Sequence, residues 1–348
     1  MDERLQFVAR RLAGEAMSEL CREFGISRKT GYKIFERYQE CGVQWLTDRS
    51  RRPHHYAHKL PFQVENYTLN VKREHPTWGA RKIRERLIRR FSGIKIPAKS
   101  TIHALLDRHG FVERRGRLRR RAQGTALSLG QRPNELWCTD YKGKFLLGNR
   151  QYCYPLTVTD HASRYLLTCE ALSSTREEYA FTVFERLFKE RGLPANIRSD
   201  NEVPFASAHA LFNLSKLAVW WLRLGIGIER IQPGHPQQNG RHERMHLTLK
   251  KEATKPAATN FLQQQARFDK FIEVFNKERP HEALDMKCPA DVYTASTRPP
   301  VVAGHRLPFH DRTIVVTHCG RICLGRKKIN FSTVFAGQAV GIKEVHRK

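Results

Sequence analysis

Asp140 stands in the strand-like run Trp137-Cys138-Thr139-Asp140-Tyr141. A charge buried there costs several kcal/mol unless it is paired or bound to metal. Asp200 follows the strand-like Ile197-Arg198-Ser199, and the carboxyl end of a strand is where open α/β sheets place their ligands. Glu243 lies on a predicted helix just after the Pro/Gly-rich loop of QPGHPQQNGRHERMHLTLK, residues 232–250. Taken singly, Asp200 fits a turn and Asp140 fits a solvent-facing edge. Together, an acid in the first strand, one after the fourth and one on the helix after the fifth can meet at one edge of a sheet. Three carboxylates there repel until a hard cation joins them, and Mg²⁺ suits an all-oxygen site. The same helix also spells H-E-x-x-H from His242 to His246, with the two histidines one turn apart and able to share zinc, Glu243 acting as general base. That chemistry needs a third ligand. The metzincin pattern would put Gly at Leu249 and His at Glu252, and neither is there; Glu273 remains as a candidate.

These residues need a scaffold that brings distant positions together. Leu136 to Leu147, Tyr152 to Thr159 and Ser163 to Ala171 read as meandering strands, with Asp160-His161-Ala162 turning between the last two. A helix over Thr175 to Arg191, a strand over Ala195 to Ser199, a helix over Ala208 to Leu224 and a strand over Gly227 to Gln232 follow. With the helix of Glu243, this is an α/β layout around one mixed five-stranded sheet. An amphipathic helix is predicted over residues 261–278.

Ahead of this core the chain reads as helices. Three short ones fall within residues 3–40, with Leu5, Val8 and Ala9 starting an apolar stripe. Phe24-Gly25-Ile26-Ser27 makes a tight turn in which Gly25 takes the left-handed conformation and Ser27 caps the next helix. This is helix-turn-helix spacing, with Arg28, Lys29 and Lys33 at the exposed start of the recognition helix. A generic helical bundle is the plainer reading. A second helical unit runs over Pro61–His75, Trp78–Phe91 and Ala98–His109, with Ile102, Leu105 and Leu106 facing a core and Lys99, Ser100 and His103 facing outward. It leads into Arg114 to Arg121, where Arg114, Arg115, Arg117, Arg119 and Arg120 form a tether that tracks phosphates. His54, His55 and His58 in the preceding linker read as solvated.

Lysine and arginine total 62 against 34 acidic residues, a net of +28 over 348 residues. Such an excess calls for a polyanion, and nucleic acid is the commonest. Residues 51–130 hold 20 basic and 5 acidic side chains, so the second helical unit and tether are the main electrostatic contact. The eight cysteines form no C-x-x-C pair and read as reduced, small hydrophobes in a cytosolic compartment. The charged start MDERLQFVARR is no signal peptide, and no run reaches the roughly 18 apolar residues of a membrane helix.

The motifs WCTDYKG (137–143), IRSDNEVPFAS (197–207), HPQQNGRHERMHLTLK (235–250) and FNKERPHEALDMKCPADVY (275–293) resemble those of the DDE transposases of the IS481/IS3-like group, which have a retroviral-integrase-type catalytic core. The resemblance covers nearly the whole chain, and Asn239 and Glu243 match the family's Asn-to-Glu step on the last catalytic helix. It implies an α/β RNase H-like core over 131–298, a helix-turn-helix domain over 1–47, a second such unit with its Arg-rich linker over 48–130, and a small β-barrel-like domain over 299–348. It implies Asp140, Asp200 and Glu243 as catalytic residues and ligands of two Mg²⁺ ions, with Mn²⁺ a substitute. It further implies cleavage and transfer of double-stranded DNA at the terminal inverted repeats of an insertion element into target DNA, by a homo-oligomer in the cytoplasm on the nucleoid. Gln237, Gln238 and Arg241, with His235, are expected to touch DNA near the cut, a mobile loop with no direct contact being the other reading. One departure is Glu202, where the family has Gly, which sets a further carboxylate beside Asp200. Related chains also run further, so the last domain is expected to be short. Two other readings stand beside this one: a catalytically impaired, transposase-derived DNA-binding protein or repressor, and the zinc protease.

Overall fold

The strand that carries Asp140, β1 (Leu136–Tyr141), is buried on both faces over its first four residues. An apolar run of that kind belongs in the middle of a sheet covered by helices on both sides. In the computed structural model, which describes residues 2–43, 60–91, 93–112, 127–207, 210–232, 234–300 and 310–343, this is where it lies. On one side β1 pairs antiparallel with β3 (Tyr152–Asp160), and β3 pairs antiparallel with β4 (Leu166–Leu172). On its other side β1 runs parallel to β5 (Asn196–Ser199), and β5 runs parallel to β6 (Gly227–Arg230). The sheet is mixed, as expected, but it has six strands rather than five. The predicted first strand breaks after Tyr141, where Gly143 takes a φ of +81°, and resumes as the two-residue β2 (Phe145–Leu146) against β3.

Each sheet face has its own apolar core. On one, Trp137, Leu156, Val158 and Ile197 meet α7 (Glu177–Arg191) and α8 (Lys216–Arg223) through Phe184, Phe188, Leu217 and Trp221. On the other, Cys153, Leu166 and Cys169 meet α9 (Gly240–Glu252) and α10 (Phe261–Glu273) through Met245, Leu249, Phe268 and Phe271. This two-faced α/β arrangement is the RNase H-like core. The helix expected over 208–224 is shorter than predicted. It starts at Lys216, where the Ser215 hydroxyl caps Ala218 N, and Phe212 and Asn213 take positive φ just before it. The helix over 261–278 holds its length, its last five residues widening into a π-turn.

Residues 1–62 and 63–348 are separate compact bodies. The first contains α1 (Asp2–Leu12), α2 (Met17–Glu23) and α3 (Arg28–Cys41) around Phe7, Val8, Met17, Leu20 and Cys21. Phe7 takes the core position assigned to Leu5, which is 45% exposed. In the second body, α4 (Phe62–Glu74), α5 (Ala80–Arg90) and α6 (Lys99–Arg108) enclose Val64, Trp78, Ile83, Leu87, Ile102 and Leu106. Val274, from the stretch after α10, packs into the same cluster. The ion pairs Arg86–Glu278 (2.9 Å) and Arg89–Asp291 (3.1 Å) also hold this unit to the core. Such partly exposed pairs are each worth at most about 1 kcal/mol, so the apolar contact dominates.

Among the described residues, the C-terminal strands form two antiparallel pairs. They are β7 (Arg312–Val315) with β10 (Ala339–Ile342), and β8 (Arg321–Leu324) with β9 (Lys327–Asn330). The strands are four residues long and bury few side chains, Val316, Ile322 and Val334 among them. That is too little apolar surface to close a barrel. No helix among the described residues is long and apolar enough to cross a membrane.

Candidate functional site

Parallel pairing of β1 and β5 sets the first two acids side by side. The last registered pair is Cys138 with Arg198, and Asp140 and Asp200 each lie two residues further along. Burial first, and the nearby Asp200 next, push the Asp140 carboxyl up to about 7. Burial likewise pushes Asp200 up to about 6, although its Oδ1 accepts a hydrogen bond from Glu202 N (3.2 Å). Two partly desolvated carboxylates that resist ionising together are a fit for a hard divalent cation, which removes both penalties at once. Glu202, the departure from the family pattern, is exposed and its backbone needs no positive φ. Replacing Gly there imposes no strain, and the side chain adds negative charge felt by both aspartates.

Glu243 sits in the first turn of α9 and is exposed. Burial raises its carboxyl and the Lys142 amine draws it back down. Among the described residues no group of three or more His, Cys, Asp or Glu side chains lies close enough to hold a metal ion. Asp200 is a charge that acts on Asp140, and Lys142 is the charge that acts on Glu243. Lys142 interacts with both Asp140 and Glu243, and it is half-buried beside them. The Tyr141 hydroxyl is buried without a partner, and Asp200 is the charge that acts on it. Sequence reading passed over both residues. The available signal was their position directly after Asp140 in WCTDYKG.

The two histidines of H-E-x-x-H have other work. The Thr157 hydroxyl lies 2.8 Å from His242 Nε2 and 2.7 Å from His246 Nε2, and the Thr159 hydroxyl lies 2.7 Å from His242 Nδ1. The Thr157 hydroxyl also donates to the Asp140 carbonyl (3.0 Å), so each ring must present Nε2–H to it. Burial drives His242 down to about 3 and His246 well below its ordinary value, so both are neutral. They are packing residues that fix α9 to β3, not DNA-facing groups. His246 Nδ1 lies 3.7 Å from Asp140 Oδ2, with no proton between them.

The positions assigned to DNA divide in three. Arg28, Lys29 and Lys33 are exposed at the start of α3, whose cap is Ser27 accepting from Thr30 N (3.2 Å), and Lys99 is exposed at the first residue of α6. Gln238 is a correction. It is 7% exposed and its side-chain carbonyl accepts from Gln232 N (2.7 Å), bracing the loop before α9 instead of facing outward. Gln237 is half-buried, and the Arg241 guanidinium donates to the His161 carbonyl (3.1 Å). Arg114, Arg115, Arg117, Arg119 and Arg120, together with His54, His55 and His58, lie outside the described residues.

Arg198 is the residue that assembles the region around Asp200. At 3% exposure it donates twice to Glu229 Oε2 (3.0 and 2.9 Å) and once each to the carbonyls of Gln238 (3.2 Å) and Ser128 (2.5 Å). It thereby joins β5, β6, the strand's approach segment and the loop ahead of α9.

Comparison with known proteins agrees with this arrangement. Models of an integrase core domain match residues 130–236 and 224–289. A helix-turn-helix domain model matches residues 3–54, and a homeodomain-like domain model matches residues 30–106. An uncharacterised 31.7 kDa protein of insertion element IS407 from Burkholderia multivorans is 26% identical over 210 residues, 55% of this chain and 73% of that protein. Among solved structures, the HTLV-2 integrase catalytic core domain in complex with magnesium is 15% identical, with 47% of this chain and 99% of that one covered and a TM-score of 0.38. The simian T-cell lymphotropic virus intasome in complex with PP2A regulatory subunit B56 gamma is 12% identical, with 78% and 99% covered and a TM-score of 0.41. The chain thus resembles DDE transposases of insertion elements, with helix-turn-helix domains ahead of an integrase core.

Proposed function

We propose that this chain is a DNA transposase that cleaves the ends of an insertion element and joins them to target DNA. The observation that carries the reading is the Asp140–Asp200 pair. Two carboxylates are held side by side at the carboxyl ends of adjacent parallel strands, both raised by burial and Asp140 also by the charge of Asp200. Asp140, Asp200 and Glu243 would hold magnesium ions, with manganese as a substitute, and bound metal supplies charge neutralisation and Lewis-acid polarisation of a phosphodiester. The chain's own residues do the rest. The His242 and His246 rings lock α9 against β3, so Glu243 is presented from a fixed helix. Lys142 offers a cation beside the acids for a non-bridging phosphate oxygen. Arg28, Lys29 and Lys33 at the exposed start of α3, and Lys99 at the exposed start of α6, would meet backbone phosphates and base edges of a duplex, and Arg114, Arg115, Arg117, Arg119 and Arg120 would add to that attraction. Synapsis of two element ends requires more than one copy, so the working form is a homo-oligomer on DNA.

Incubating the protein with end-labelled DNA carrying the element's termini tests this, with Mg²⁺ and with the Asp140→Asn variant. Strand cleavage by the wild type alone is expected. Tight, end-specific binding with no nicking by the wild type sinks the enzyme reading. It would leave the transposase-derived repressor.

A further inference from the structure

Glu243 faces one side of α9, and Arg241 and Arg244, on a different side at 3.6 residues per turn, face a cavity of about 520 Å³. Lys82, Arg164, Arg279 and His281 line it too. All of these lie in the body of residues 63–348. Six permanent or potential cations therefore converge from α5, the turn after β3, α9 and the segment after α10. The acids within reach do not balance them. Asp160 spends its carboxylate on Asn134 N, Ser163 N and the Ser163 hydroxyl (2.7, 2.8 and 2.6 Å). Glu252 accepts from Arg279 (2.7 Å) and also from the Thr77 hydroxyl. No hydrogen bond or ion pair reaches the Lys82 amine or the Arg244 guanidinium among the described residues. The Arg164 Nε and the His281 Nε2 are buried with no partner at all.

Left like this the cluster is costly. Burial, and then Arg279, bring Lys82 down to about 7; burial, and then Arg241, bring Arg164 down to about 10. Arg164 is also held at a φ of +63°, a conformation that costs a non-glycine residue on the order of 1 kcal/mol. The N-terminus of α5 opens at the same place. Gly79, its N-cap, lines the cavity and offers no side chain to satisfy the first N–H groups. Unpaired cations, unsatisfied donors and a bare helix start all lack the same thing, an anion with several oxygens. A carboxylate could serve two of these groups; a phosphate can serve four or more.

We propose that this cavity is a phosphate-binding site, with Lys82 and Arg164 as its central ligands. The phosphate comes either from the backbone of bound DNA or from a free oligophosphate. The first source rests on the DNA reading above, and the second does not.

The full-length protein is compared with Lys82→Met, Arg164→Met and, as a control for lost surface charge, Lys189→Met. Thermal unfolding is followed with and without inorganic pyrophosphate, and duplex-DNA affinity is measured across a salt series. Without ligand, Lys82→Met and Arg164→Met are expected to unfold at or above the wild-type temperature, because each removes an uncompensated cation. If free phosphate is the ligand, pyrophosphate raises the wild-type and control midpoints and leaves those two variants unmoved. If DNA phosphate is the ligand, the slope of log Kobs against log salt becomes shallower by about 0.9 in those two variants only. A variant that unfolds well below the wild type without ligand overturns the proposal, since the cation would then be structural. So does wild-type behaviour of both variants in both assays. Wild-type nicking is unaffected by that result, so failure here is distinct from failure of the transposase reading.

Discussion

Replacing Arg198 with Met should destabilise the core by about 3 kcal/mol. The side chain is 3% exposed and its partner Glu229 is 19% exposed. Breaking a buried ion pair by removing one member costs about 3–5 kcal/mol, because the other charge is left behind. Here the low end applies. Glu229 keeps hydrogen bonds from Ser128 N (2.9 Å) and the Ser128 hydroxyl (2.7 Å), and water can reach it. The carbonyls of Gln238 and Ser128 lose a donor as well. Urea unfolding read by tryptophan fluorescence should show a lower midpoint at unchanged m, since Trp137 and Trp221 are buried in the same core. Glu229→Gln should cost less, and the double variant less than the sum, with a coupling of about 1.5 kcal/mol. The pH dependence has a definite sign. Burial raises the Glu229 carboxyl, but Ser128 and Arg198 together hold it below its ordinary value. Its contribution is present above an unfolded value of about 4.3 and is lost as pH falls through the lower folded value. The gap between wild type and Arg198→Met should therefore narrow only in the acid range. A loss below about 1 kcal/mol at neutral pH, or strict additivity in the cycle, refutes the reasoning.

Three further outcomes follow from the geometry. Asp140→Asn should stabilise the metal-free protein by about 1–3 kcal/mol, by removing a desolvated charge beside Asp200, and should abolish the rise in melting temperature given by Mg²⁺; equal Mg²⁺ stabilisation of both forms counts against the site. Thr157→Val should cost about 3 kcal/mol in urea unfolding, because His242 Nε2 and His246 Nε2 lose their shared partner, and a cost under about 1 kcal/mol would mean that α9 is anchored elsewhere. Gly31→Ala, although worth up to about 1 kcal/mol in helix propensity, should lower the thermal midpoint of the N-terminal body, because its Cβ would press into Cys21 Sγ and stand 3.1 Å from both Met17 Sδ and Phe7 Cζ; a raised midpoint would contradict that packing.

The parts legible in the sequence are those with a local period or a local end. Ile102, Leu105 and Leu106 repeat at helical spacing, and they are buried while Lys99, Ser100 and His103 are exposed. Asp140 and Asp200 were recognisable because an acid inside a strand and an acid at a strand's end are each conspicuous. The break after Tyr141 had a signal as well, since a glycine between two lysines marks a turn, yet the β-rich flanks on both sides masked it. The start of α8 was misplaced for a related reason. The apolar residues from 208 onward suit a helix, but the Ser215 cap decides where it begins. What could not be read is the company that residues keep across the fold. Lys82, Arg164, Arg241 and Arg279 are far apart in the chain and no pattern links them; only the docking of α5 against the segment after α10 brings them to one cavity. Gln238 is the converse case. Its place in a polar loop suggested a DNA contact, and a hydrogen bond six residues back turned it inward.

Helix α9 divides two clusters of opposite charge. Asp140, beside Asp200, lies next to His246, and Arg241 and Arg244 line the cavity on another side. Direct pairing across the helix would quench both, and buried ion pairs of that kind are energetically easy to form once the partners are already desolvated. The neutral rings of His242 and His246 add no charge of either sign there. They fall between the two faces on the helical circumference and fill the space against Thr157 and Thr159. Under the readings proposed above, metal would bind on one side of α9 and phosphate on another, the two components that phosphoryl transfer must bring together.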